Sequence, residues 1–124
     1  MKIKVIYSNV IEDKHPEVIE IEEEDLHEIY RLLNCDAIDI VRRRIGDNMY
    51  RIIVDDLGLL KPNPLLSSFS LINRDAVLVG NLIIAGMEDF EGRLTSLTEK
   101  NIKEIASSFI EKIGSNYKIL LQSW

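Results

Sequence analysis

Cys35 is the only cysteine, so no disulfide can form within the chain, a usage that fits a reducing compartment. No apolar run approaches the roughly 18 residues that a membrane-crossing helix needs, and no membrane segment is expected. Met1-Lys2-Ile3-Lys4-Val5 alternates charged and apolar side chains where a signal peptide would be continuously apolar, so the expected compartment is the cytoplasm. A basic excess is missing as well. The net charge of −6 leaves none of the basic face that direct nucleic-acid binding requires. Gly-x-Gly-x-x-Gly, P-loop and Gly-x-Ser-x-Gly patterns do not occur. His15 and His27 have no second histidine or cysteine at ligand spacing. These gaps turn the reading away from an enzyme, and no cofactor is expected.

What is present describes one soluble domain spanning residues 1–124. A hydrophobic fraction of 46% with 29% charged residues belongs to a globular chain with one core. The acidity is local: residues 12–36 hold ten acidic and two basic side chains, a charge of −8 against −6 for the whole. As the approach to a helix, this run suits the positive end of the helix dipole.

The stretch Tyr50 to Ala85 organises the rest. It opens with the β-type run Tyr50–Val54, breaks at Asp55-Asp56-Leu57-Gly58, and passes through Lys61-Pro62-Asn63-Pro64. It ends in Ala76–Ala85, the most apolar segment, expected as a central strand with Gly80 as a bulge or close approach. Before it, Met1–Ile11 and Val18–Ile21 predict a first hairpin, and Ala37–Ile45 predicts a strand turning at Gly46-Asp47-Asn48 into Tyr50. Arg42-Arg43-Arg44 alternate faces on such a strand and cannot form one flat patch.

Leu26, Ile29, Tyr30 and Leu33 predict the buried face of a helix over 23–34 with Asn34 as its left-handed cap. Asn63-Pro64 predicts a helical turn over Leu65–Leu71. Ile102, Ile105, Ala106, Phe109, Ile110 and Ile113 predict an amphipathic helix over 98–113, capped by Ser96 with Glu99 or by Thr98 and ended by Gly114. Tyr117–Gln122 is apolar enough for a last strand or a packed tail. The sum is an α+β domain: a mixed or antiparallel sheet of about five to six strands with two main helices packed on it.

The order of these motifs over Val18–Ile105 resembles the family of domains of unknown function called DUF3846. The residues that carry the likeness are the acidic lead into Leu26, Val54-Asp55-Asp56-Leu57-Gly58, Asn63-Pro64, Asp75–Asn81 and Ser96-Leu97-Thr98-Glu99. Lys61-Pro62 before Asn63, and Leu32-Leu33-Asn34-Cys35 where many relatives have glycine, depart from it. The resemblance implies a phage, plasmid or other mobile-element setting and supplies no activity or catalytic residue.

Three functions follow as expectations. The first is a non-catalytic interaction module for an unknown protein partner or a homo-oligomer, with Tyr117 and Trp124 as contact residues. The second is an acidic nucleic-acid mimic directed at host defence, presenting Glu22, Glu23 and Glu24. The third is a small metal- or ligand-binding enzyme using Asp55, Asp56 and Asn63, although Asp-x-x-Gly after a strand is ordinary turn chemistry. The helix periodicity yields a direct test. Ile105→Asp places an unpaired charge in the core and should remove several kcal/mol, most of a small domain's margin, in chemical denaturation.

Overall fold

The computed structural model describes residues 2–9, 12, 16–56, 66–68 and 78–108. Strands β1 (Lys2–Ser8), β2 (Glu17–Glu22), β3 (Ile38–Ile45) and β4 (Asn48–Asp55) are followed by β5 (Leu66–Ser68), β6 (Leu78–Val79) and β7 (Leu82–Ala85). Helix α1 (Leu26–Leu33) lies between β2 and β3 in the chain, and α2 (Glu99–Ser108) follows β7. Five strands form one sheet in the order β2-β1-β7-β4-β3, antiparallel throughout. β5 and β6 form a separate two-stranded ribbon. Among the described residues, no helix is long and apolar enough to cross a membrane.

Two of the pairings are hairpins, each between adjacent segments of the chain. β1 pairs with β2 from Lys2↔Glu22 to Tyr7↔Glu17. β3 pairs with β4 from Ile38↔Asp55 to Ile45↔Asn48, so only Gly46 and Asp47 form the turn. Gly46 adopts φ +64° at the first turn position, where two-residue hairpins favour glycine.

Alternation along the strands sorts the core onto two faces. On one face, named here for Ile83, the side chains of Ile3, Val5, Tyr7, Ile21, Ile53, Ile83 and Ala85 are buried in one cluster with Ile29 and Leu33 of α1. On the opposite face, named for Ile84, Ile6, Ile45, Tyr50, Ile52, Val54, Leu82 and Ile84 are buried with Leu97 and with Ile105 of α2. All four residues of β7 are buried, as a strand between two partners and covered on both faces requires.

Several expectations change. The run Ala76–Ala85 is not one strand: Gly80 at φ +77° separates β6 from β7. A Cβ there would meet nothing within 4 Å, so Gly80 is explained by backbone conformation and not by close approach. Ala76 and Val77 lie outside the described residues. Leu66–Ser68 is strand β5 and not a helical turn, because pairing with β6 satisfies its backbone, whereas an isolated turn of helix nucleates poorly. Leu26 is 50% exposed and not on the buried face. It is the first residue of α1, with Asp25 as cap accepting from the Glu28 amide at 3.1 Å, so the buried stripe narrows to Ile29 and Leu33. Asn34 ends the helix at φ 53°, ψ 53°, the expected left-handed cap. For α2, Thr98 is the cap: the Asn101 amide donates to Thr98 Oγ1 at 3.1 Å and the Thr98 amide to Asn101 Oδ1 at 3.0 Å. Phe109–Ile113, Gly114 and the Tyr117–Gln122 tail lie outside the described residues.

β7 is too short to flank the whole of β1. Its pairing reaches Ile6↔Ile84, and beyond that point the chain returns as Thr95-Ser96-Leu97 to take its place. The Lys4 amide donates to Ser96 Oγ at 2.9 Å, the Leu97 amide to the Lys4 carbonyl at 2.9 Å, and the Gly86 amide to the Thr95 carbonyl at 2.9 Å. Leu94 packs on the Ile83 face and Leu97 is buried on the Ile84 face, so the chain changes faces within three residues. A Cβ on Gly86 would lie 2.3 Å from Thr95 Oγ1 and 3.0 Å from the Thr95 carbonyl. Because the second contact is backbone, Gly86→Ala should cost about 1–3 kcal/mol, read as a lowered urea midpoint at unchanged slope.

Candidate functional site

Asp55 closes β4 and is half-buried, whereas Asp56 follows in an exposed turn. The Asp56 amide donates to the Ala37 carbonyl at 3.0 Å, which fixes the turn. Asn63 lies outside the described residues, as do Tyr117 and Trp124. The pairings Ser8↔Leu82 and Val54↔Leu82 set Asn9, Asn81 and Asp55 in the next row of the sheet. Two members of that row have structural work. The buried Asn81 donates its side-chain amide to the Leu32 carbonyl at 3.0 Å and to the Tyr7 hydroxyl at 3.3 Å. Tyr7 in turn donates to the Leu32 carbonyl at 2.6 Å, and Asn9 Oδ1 accepts from the Glu12 amide at 3.1 Å. The row therefore ties the end of α1 to the sheet. Among the described residues, no group of three His, Cys, Asp or Glu side chains could hold a metal ion.

The three glutamates expected at an acidic surface occupy the entry to α1. Glu22 ends β2, Glu23 and Glu24 form the turn, and Glu22 and Glu24 are exposed. Their backbone carbonyls are engaged: Glu22 O accepts from the Asp25 amide and Glu24 O from the Leu26 amide, both at 3.1 Å.

A feature that no motif in the sequence marks lies between β7 and α2. Residues Met87–Leu94 form a hairpin with an isolated bridge between Glu88 and Leu94. Its tip is closed by Asp89, whose Oδ1 accepts from the Glu91 amide at 2.8 Å and the Arg93 amide at 3.0 Å. The Asp89 amide donates to the Arg93 carbonyl at 2.9 Å, and Gly92 adopts φ +78°. Thr95 Oγ1 donates to the Met87 carbonyl at 2.6 Å, and Arg93 pairs with Glu91. The two backbone amides hold the Asp89 carboxyl below its ordinary range. At this tip Phe90 is wholly exposed.

The hairpin is anchored on the Ile83 face through a charged trio. Glu88 pairs with Arg51, a buried residue of β4, and its Oε1 also lies 3.5 Å from Arg42 Nη2 on β3. Arg42 and Arg51 are register partners, so the one carboxylate bridges two adjacent guanidinium groups. Burial, and then the charge of Arg42, lower the pKa of Arg51. The Arg51 Nε is buried without a hydrogen-bond partner. Arg43 points to the other face, as strand alternation predicts.

A second polar cluster joins α2 to the β3–β4 turn. Glu104 accepts from the Tyr50 hydroxyl at 2.6 Å, the Asn48 side-chain amide at 2.8 Å and the Asp47 backbone amide at 3.1 Å. Asn101 donates to the Tyr50 hydroxyl at 3.2 Å. Burial and then the Glu104 hydrogen bond push the Tyr50 phenol well above its ordinary value, so it stays protonated. These bonds fasten a helix to a hairpin.

The family model described as a domain of unknown function (DUF3846) matches residues 3–110. No curated protein and no solved structure matches the chain.

The Glu104 cluster predicts an acid dependence of stability. The Tyr50 hydroxyl first, then Asn48, and also Asp47 and Lys100, lower the Glu104 pKa, against the opposing effect of burial. A carboxyl depressed on folding contributes stability that is complete above its unfolded pKa and is lost as pH falls through its folded one. Glu104→Gln should therefore lower the urea midpoint at neutral pH, and the gap to the parent should close in strongly acidic buffer.

Proposed function

The chain belongs to the DUF3846 family, and from that premise we propose that it is a non-catalytic protein-interaction module of phage, plasmid or mobile-element type, with the Met87–Leu94 hairpin as its contact element. The observation that carries this reading is the wholly exposed Phe90 at the tip of a hairpin braced by its own hydrogen bonds. Burying a phenylalanine side chain is worth about 1.5–3 kcal/mol relative to leaving it in water. A loop that instead fixes its backbone around a solvated ring has the ring already placed for a partner, with little ordering left to do on contact. Aromatic anchors of this kind dominate small interfaces. The neighbours Asp89 and Glu91 give the anchor an acidic rim.

The same reading accounts for the polar clusters. Tyr50–Glu104 and Tyr7–Asn81 hold elements together, and among the described residues Phe90 is the most exposed large apolar side chain. The test is a matched pair of baits, the parent and Phe90→Ser, used for affinity capture from a lysate of the source cells. Both should melt alike, since the ring touches nothing that folding depends on. A partner retained by the parent and lost with Phe90→Ser supports the hairpin as contact element. Identical captures from both baits would overturn it.

A further inference from the structure

We propose that the partner of the Phe90 hairpin is a second copy of this chain, docked on the strip formed by Ile40, Arg42 and Met49. This rests on the interaction reading above and names the occupant. Ile40 and Arg42 follow Ile38 on β3 at two-residue steps, and Met49 precedes Arg51 and Ile53 on β4, so all three face the Ile83 side. α1 leaves this end of the face uncovered: Ile40 is 41% and Met49 37% exposed, and the Arg42 side chain is open to solvent as well. Ile40 and Met49 flank Arg42, spaced by about 13 Å along the strands. The strip is apolar at Ile40 and Met49, with Arg42 at its middle and Arg44, the register partner of Met49, on the same face.

The hairpin tip is its complement. Phe90 is apolar and stands between Asp89, which accepts two backbone amides, and Glu91, which pairs with Arg93. The ring can therefore stack on the guanidinium of Arg42 while the net negative charge of Glu88, Asp89 and Glu91 against Arg93 meets the strip. Phe90 does not reach the strip of its own chain. Glu88, two residues earlier, is held at Arg42, yet the ring is wholly exposed. Tip and strip thus lie side by side on one face. Two copies related by a twofold axis would exchange tips, each Phe90 meeting the other's Arg42, which gives a closed isologous dimer.

Sedimentation equilibrium of the full chain over a concentration series tests this. The parent should reach a dimer that weakens as salt is raised. Phe90→Ser should weaken association by at least about 30-fold, the scale of losing an interface anchor. Arg42→Glu and Glu91→Arg should each weaken it, and the double variant should restore it in the same chain. A parent that stays monomeric to its solubility limit, a dimer untouched by Phe90→Ser, or a double variant that fails to restore association overturns the proposal. If the parent is monomeric while Phe90-dependent capture of another protein persists, only the self-docking is refuted and the hairpin reading stands.

Discussion

The shortness of β7 governs this fold. Four residues, Leu82–Ala85, are all buried; all of them pair with β4 and the first three with β1, so they bind the β1–β2 hairpin to the β3–β4 hairpin. They cannot flank all of β1, and the returning chain fills the vacancy at Lys4 with Thr95-Ser96-Leu97. That repair has two results. It sends the intervening residues out as the Met87–Leu94 hairpin, and it carries the backbone through to the Ile84 face, where Leu97 is buried ahead of α2. The candidate contact element and the second helix are both consequences of where the central strand stops.

The local parts of this arrangement were legible in the sequence. Alternation and turn residues give both hairpins, because each partner lies a few residues away and Gly46 marks the reversal. Asn34 announced the end of α1, and Thr98 was one of the two starts offered for α2, since capping is a matter of one side chain and its nearest amides. The DUF3846 family was likewise legible from the order of motifs. What failed depended on distant partners. The run Ala76–Ala85 reads as one strand until its two parts are seen to join different sheets, with Gly80 as the break. Leu66–Ser68 reads as a helical turn until β6 is beside it.

The candidate site was less legible than the fold. Asp55 and Asp56 drew attention as paired carboxylates, yet one is half-buried at the strand end and the other sits in an exposed turn. The hairpin was passed over because acidic residues between glycines look like solvated loop. Its order comes from Asp89 binding backbone amides two and four residues on. One signal was available: Phe90 is an aromatic residue in the midst of an otherwise polar connection. Arg51 gave none, because a buried guanidinium answered by Glu88 depends on strand register and on the path of the hairpin together.

The two edge strands of the sheet carry opposite charge. β2 presents Glu17, Glu20 and Glu22, and β3 at the far edge carries Arg42, Arg43 and Arg44 against Asp39. Charged edges resist further strand pairing, and like edges of two molecules repel. The separation also polarises the molecule across its width. A charged body approaching through solution exerts a torque on it before touching, so first encounters are biased in orientation. An acidic visitor is drawn toward the Arg42 edge, and a basic one toward the opposite flank.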